Sequence, residues 1–542
     1  MIMKRLIKPD RLLLFLVLSI ACLVSFNPEV LKQILSHNSS EIKQFQPIEK
    51  IVHFPNEFES GLSDSIYGYD PNFDLFYSVD GGDHFKSFDV LKIKDVSANV
   101  IHRHQLSYRS KPVDGSQPVL PSLLIKGKHK TDPIYLKTKQ VTYSGKHFHT
   151  LPILSLIVAE HDLISDSDGM MVLGQDAWFD SGFKKPFWER NANYKRRGES
   201  SKKKVLVDYI VNQEVVFHTM CDIQVSGNAT RSFPQKSFKI KANQAYSGST
   251  FEFPFFKKKG LKSYQSIVVR NSGNDNTKTL FADLLMHTLA KKAKVLVQKG
   301  HPVIVYLNGN YWGIYNLRER IDTYFIAESE KVKLEEITLL EGAYADLKDG
   351  LVSDQTEFID LVNGLVDLKK VGDEDLEKVK GKVKIKSFID YIILETYYAN
   401  GDWLHNNVIW YKAGGKKWQW ILNDLDYGLT YLGKEQVEAN LFQYLNTSKA
   451  INAKFFRTLL KNSKFKKQFK KRANKLMEEL FNDERIEKAY LKYFEQIQNE
   501  LPLQVKRWRG NFTFEIWLDN CQQNLNFLKD RRAIYLKQIE AL

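Results

Sequence analysis

Hydrophobic and polar positions alternate in short runs through the first third of the chain, and the period lengthens to that of helices in the last third. From about residue 52 to 150, runs such as "LFYSVDGG" and "PIYLKTKQVTYSG" are broken by Gly, Pro and Asp, which predicts a small β-sandwich. Next, "DYIVNQEVVFHTMCDIQVSG" predicts two strands, "SFKIKA" a third and "SYQSIVVRNSGND" a fourth ending at Arg270. A helix is expected at "KTLFADLLMHTLAKKA". "PVIVYLNGNYWGIYNL" then gives a hairpin turning at Asn308-Gly309, and "RERIDTYFIAES" restarts a helix. Ile385, Phe388, Ile389, Ile392 and Ile393 follow i, i+3, i+4, i+7, i+8, one apolar stripe of a helix ending at Asn400-Gly401. The strands "NVIWYK" and "KWQWIL" follow, joined by Gly414-Gly415, and residues 450 to 542 are helical throughout. A sheet-rich half followed by a helical half is a two-lobed α+β design.

At 542 residues the chain has room for two to four cores. Its 43% apolar and 26% charged content are those of a globular protein. A formal charge of +15 raises nucleic acid as a partner, but the lysines are dispersed. The densest run, "KNSKFKKQFKKRANK", carries Phe465 and Phe469 at helical spacing, as the solvated face of an amphipathic helix would. No nucleic-acid partner is expected. Lys4, Arg5, Lys8 and Arg11 precede fifteen uncharged residues, Leu12 to Phe26. That is short for a membrane span and suits a secretory signal or an uncleaved anchor, with Cys22 a weak lipidation candidate. Export to the periplasm or cell surface is therefore expected, with membrane association only through this segment. Cys221 and Cys521 then remain, enough for one disulfide at most. The expected boundaries are 1–27 for the signal or anchor and 28–51 for a polar linker. The sandwich takes 52–150, a sheet-rich lobe 151–345 and a helical lobe 346–542.

The unusual chemistry lies in "NGDWLHNN" and "WQWILNDLDYG", where acids and amides sit beside Trp, Ile and Leu. Carboxylates in such company need a positive partner. Strand alternation would put Trp418, Trp420 and Leu422 on one face with Asp424 and Asp426. Two acids at i, i+2 repel unless a cation lies between them, and oxygen-only ligands suit Mg²⁺ or Mn²⁺. Asp402, Asn407 five residues later and an Asp after a short hairpin reproduce the spacing of a protein-kinase catalytic core, with "DYG" resembling its last motif. The Asn and Gly before Asp402 depart from that pattern, and no Gly-rich loop precedes a lysine strand. The alternative is a structural Asp402 capping a turn, beside an acidic calcium-type loop at 424–426. For phosphate, "VSGNATRSFPQKSFKIKA" offers Gly227, Arg231 and a strand lysine, with Lys236, Lys239 and Lys241 competing and Lys236 on the opposite face. His102, His104, His147 and His149 invite a metal reading, but no Cys or carboxylate partners stand at ligand spacing.

Five segments in order, "SGNATRSFPQKSFKI", "VRNSGND", "VYLNGNYWGIYNLRERID", "NGDWLHNN" and "WQWILNDLDYG", resemble the CotH family, spore-coat-protein-H-like atypical secretory kinases. The preceding module is similar to the chitobiase-C-terminal-like β-module fused to some bacterial relatives. The resemblance implies a kinase-like fold with ATP between lobes, Mg²⁺ or Mn²⁺, and phosphorylation of Ser or Thr in secreted or surface proteins. By position it makes Asp402 the catalytic Asp, Asn407 a metal ligand, and Asp424 or Asp426 the principal metal carboxylate. It turns Lys236 and Arg231 toward phosphate beside Gly227, and places Glu319 and Asp322 at the hinge or nucleotide site. Trp418 or Trp420 would stack on adenine or pack in the core. Ala229 stands where the family commonly has Ser, removing one hydroxyl from the phosphate loop. A non-catalytic surface or adhesion protein on the same scaffold is the competing expectation, its β-module a glycan contact. A hydrolase or transferase built on Asp402 and Asp424 is a minor third.

Overall fold

The computed structural model describes residues 149–542 except 181, 183, 257–260 and 509–511. Before these it describes only 50–51, 65–67, 73–80, 83–88, 90–92, 105–108, 122–131 and 136–142. The N-terminal segment with Cys22, the linker to residue 49, and His102, His104 and His147 lie outside the described residues.

In the first module, β1 (Lys50–Ile51) pairs with β2 (Ser65–Tyr67), and β2 with β5 (Val90–Lys92). A second sheet has the order β4 (Lys86–Ser87), β3 (Phe73–Ser78), β6 (Ser122–His129), β7 (Leu136–Thr142). The alternating runs are strands, as their period requires.

The next seven strands close into a barrel of order β10-β11-β12-β14-β13-β8-β9. They are β8 (Ile153–Ile157), β9 (Lys203–Val211), β10 (Glu214–Ser226), β11 (Ser237–Lys241), β12 (Ser266–Arg270), β13 (Gly300–Leu307) and β14 (Asn310–Glu319). Strand β8 makes the closure, parallel to β13 and antiparallel to β9. All five of its residues are buried, so no alternation marks it in the sequence. Period two governs the rest: Phe238, Ile240, Ile267 and Val269 join the barrel core, while Lys239, Val268 and Arg270 take the outer face. The β13–β14 hairpin turns at Asn308 and Gly309, both at positive φ (44° and 76°), as expected.

Helix α1 (Glu160–Ile164) and α2 (Gly174–Trp178) lie between β8 and β9, and α3 (Ala282–Ala290) between β12 and β13. After α4 (Thr323–Glu330), a four-stranded antiparallel sheet forms from β15 (Ile337–Glu341), β16 (Asp346–Asp349), β17 (Ile409–Ala413) and β18 (Gln419–Ile421), in the order β16-β15-β17-β18. Around it stand α5 (Val352–Val366), α6 (Asp373–Lys382), α7 (Ile385–Tyr397), α8 (Leu441–Thr447) and α9 (Ile451–Leu459). The chain finishes with α10 (Ser463–Glu479), α11 (Asp483–Gln498), α12 (Leu501–Trp508) and α13 (Phe514–Glu540). Phe465 and Phe469 are buried on α10, so its lysine run is a solvated face. No helix among the described residues is long and apolar enough to cross a membrane.

Two polar latches hold α12 and the residue before it to the barrel. Glu500 accepts the Thr150 N–H at 2.6 Å and pairs with His149 Nδ1 at 2.8 Å, while His149 Nε2 meets Tyr306 Oη at 2.8 Å. Both ring nitrogens are engaged, which removes His149 as a metal ligand. Gln504 accepts the Ile314 N–H at 2.8 Å, and Trp508 Nε1 donates to Trp312 O at 2.9 Å. Gly313 lies at φ +120°, and a Cβ there would stand 2.4 Å from Gln504 Oε1. The glycine of "NGNYWG" is thus required by the helix packed over it. Cys221 and Cys521 are buried free thiols, so the one disulfide the sequence permits does not form.

Candidate active site

The apolar stripe on α7 buries the helix and sets where the following loop begins. The helix stops at Tyr397, and Ala399, not Asn400 or Gly401, takes the left-handed turn at φ 52°. Gly401 serves by its size, since a Cβ there would come within 2.7 Å of Leu432. The loop is anchored by Trp403, buried with its Nε1 donating to Tyr391 Oη on α7 at 2.8 Å. Asp402 accepts Asn406 Nδ2 on Oδ1 at 2.8 Å and Asn407 Nδ2 on Oδ2 at 3.1 Å. Burial raises its carboxyl above the ordinary range, and the charge of Asp424 adds to this against the two amide donors. Asn407 sits at φ 63°, so strain in the turn accompanies its placement.

Asp424 and Asp426 follow β18, but strand alternation does not deliver them. The strand ends at Ile421 and Asp424 has φ 50°, which breaks the period. Trp418 and Trp420 point away into an aromatic core with Phe358, Phe388 and Tyr391, and both are fully buried. Their stacking on adenine is therefore excluded by packing. The two acids nevertheless converge: Arg270 Nη2 bridges Asp424 Oδ1 and Asp426 Oδ2, the latter at 2.5 Å. Asp426 also accepts Asn274 N–H at 2.9 Å and Asn274 Nδ2 at 3.0 Å. Burial and the neighbouring Asp424 raise the Asp426 carboxyl, although Arg270 opposes them. Asp283 on α3 accepts the Leu425 N–H at 2.9 Å and pairs with Arg318, fixing the residue between the two acids. Asn400 reaches the same loop, donating to Asp424 O at 3.3 Å and Glu395 Oε2 at 3.0 Å. Glu395 is fully buried, and burial pushes its carboxyl up to about 8.

The phosphate-side expectations are largely redistributed. Lys236 is completely buried, with Nζ donating to Leu106 O, Arg231 O and Phe233 O at 2.8–3.0 Å over the Tyr194 ring. Its hydrogen-bonding capacity is spent on carbonyls, so it is a core lysine. Arg231 is likewise buried and donates to Gly227 O, Tyr194 O and Arg196 O. Gly227, at φ +100°, shapes that turn. Glu319 is buried and accepts the Lys299 N–H at 2.8 Å and Nζ at 3.3 Å. Asp322 caps α4 through the Phe325 N–H at 2.9 Å and accepts Ser266 Oγ. Both carboxylates are engaged within the protein, Glu319 with Lys299 and Asp322 as a helix cap. The competitor Lys239 differs: it lies half-buried on the outer face with no hydrogen-bond acceptor among the described residues. Burial lowers it to about 8, with Arg320, Lys202 and Lys241 adding to this. A lysine whose cationic neighbours outweigh Glu199 is disposed to accept an anion. It stands opposite Val268, two residues from Arg270 along the same face, a diagonal of roughly 7–8 Å.

Arg270, Asn274 and Asp283 were not singled out by composition or period. Their signal was the polar run "VRNSGND" at a strand end. Asn406 was legible only as the first amide of "HNN".

An α+β chain that orders helix, Asp-bearing loop, two strands and acidic loop is kinase-like. Residues 223–535, more than half of the chain and spanning all these positions, match the family model described as CotH kinase protein, and the chain belongs to the CotH kinase family. No curated protein matches the chain. Kinases as a class use ATP and a divalent metal.

Proposed function

We propose that this chain is an exported protein kinase that moves the γ-phosphoryl group of ATP to Ser or Thr of secreted or surface proteins. The observation carrying the reading is the Asp402 carboxylate, held by two amides in the loop between α7 and β17 and electrostatically coupled to Asp424. Asp402 accepts the hydroxyl proton as the acceptor oxygen forms its bond to phosphorus and the bond to the β-phosphate oxygen breaks, releasing ADP. Lys239 offers its ammonium to the phosphates. The barrel with α3 would act as one lobe, and the second sheet with its helices as the other.

The donor set fits a hard cation. It is all oxygen, and two carboxylates already converge on one positive atom, Arg270 Nη2. Asp424, Asp426 and Asn407 would hold Mg²⁺ or Mn²⁺, which when bound supplies positive charge against the phosphate oxygens.

Purified protein incubated with labelled ATP and extract of its own cell surface tests the reading. Asp402→Asn is expected to lower incorporation by several powers of ten with unchanged thermal unfolding, and equal labelling by variant and parent refutes the role. Arg270 supports the second reading, a non-catalytic surface protein, because it neutralises the acids without an ion. Calorimetry with Mg-ATP separates the two, and no heat favours the scaffold.

A further inference from the structure

The cation that the clustered acids require is already in the chain. Arg270 Nη2 stands on both Asp424 Oδ1 and Asp426 Oδ2. Its Nε is buried with no acceptor among the described residues, so the guanidinium meets the acids through Nη2. The backbone is shaped around this contact. Gly273 is at φ +60°, and a Cβ there would lie 1.9 Å from Asp426 Oδ2 and 2.5 Å from Arg270 Nη2. The side chain is still 22% exposed, and Asp424 30%, so the pair faces solvent on one side.

Resting on the kinase reading, we propose that Arg270 is a resident counter-cation competing with the divalent ion for the same carboxylate oxygens. A bare ion must displace it and leave a guanidinium half in the protein with no partner, which is costly. An ion carried on a triphosphate brings acceptor oxygens for the displaced guanidinium, so ion and nucleotide bind better together than either does alone. Arg270 is then a positioning residue: it keeps the acidic loop neutral and folded while the site waits, and couples ion entry to nucleotide entry.

The test is Mn²⁺ binding to the full chain without nucleotide, read by electron paramagnetic resonance, for the parent and Arg270→Gln. The variant is expected to bind bare Mn²⁺ at least tenfold more tightly. Equal or weaker binding overturns the proposal. Saturating adenylyl imidodiphosphate should tighten Mn²⁺ binding in the parent and do so several-fold less in R270Q, and an equal gain in both overturns the coupling. Thermal unfolding guards against misfolding. If R270Q folds only with Mn²⁺ present, the ion has replaced the guanidinium as proposed. A variant that stays unfolded at every Mn²⁺ concentration shows that it cannot. The bare-ion arm involves no phosphate transfer, so it can fail while labelling by the parent persists, and labelling can fail while the competition holds.

Discussion

Lys236 and Lys239 are three positions apart, and burial gives them opposite roles. Lys236 holds three backbone carbonyls together, so Lys236→Met leaves buried acceptors unsatisfied and should cost about 3 kcal/mol of stability, measured by denaturant unfolding. Lys239→Met removes a half-buried outer-face cation that has no hydrogen-bond acceptor among the described residues. Its melting temperature should match the parent's while ATP affinity falls about tenfold, measured by calorimetry. The Lys239 amine titrates near 8 in the free protein and is charged below that pH. ATP affinity should therefore decline as pH rises from 7 to 9, and should not do so in the Met variant. The sequence named both lysines and the parity of the strand separated their faces. Which face was solvent was decided by barrel closure.

At the scale of elements, α7 joins the aromatic core to the acidic loop through Glu395, Asn400 and the Asp424 carbonyl. In the folded chain Glu395 keeps its proton up to about pH 8, against 4.5 ordinarily. Between those values the unfolded chain binds fewer protons, so this residue makes stability fall as pH rises through the window. Glu395→Gln supplies a permanently neutral side chain. It should be more stable than the parent by roughly 1–3 kcal/mol at pH 8 and equal to it near pH 4, measured by urea unfolding. A parent curve parallel to the variant's would remove Glu395 as the titrating group. The helix itself was legible from its 3.6-residue stripe. Its buried carboxyl was not, because one acid among apolar residues looks the same whether it faces core or solvent.

Across the whole molecule, residues from the end of the chain clamp the barrel. Gln504 and Trp508 reach the β14 backbone, and Glu500 ties down Thr150 and His149. Gly313 is the point of closest approach. Gly313→Ala combines a strained φ with a clash against Gln504, so it should destabilise by about 2–4 kcal/mol. Limited proteolysis should release the segment after residue 500 first. Loss of the C-terminal helices no faster than in the parent would show that the latch lies elsewhere. The hairpin around Gly313 was visible from Asn308-Gly309, whereas its partner lies about 190 residues away and shares no local pattern with it.

Local physics, written in order along the chain, determined the strand and helix periods, the turn at Asn308-Gly309 and the motifs that carry Asp402, Asn407, Asp424 and Asp426. Each depends on neighbours within a few residues, where period and backbone preference act. Only the tertiary structure decided what those side chains meet. It closed the barrel with a strand too buried to alternate, sent Trp418, Trp420, Lys236 and Arg231 inward, and brought Arg270 across more than 150 residues onto two acids. Burial and charge pairing are properties of contacts distant in sequence, and no local pattern specifies them.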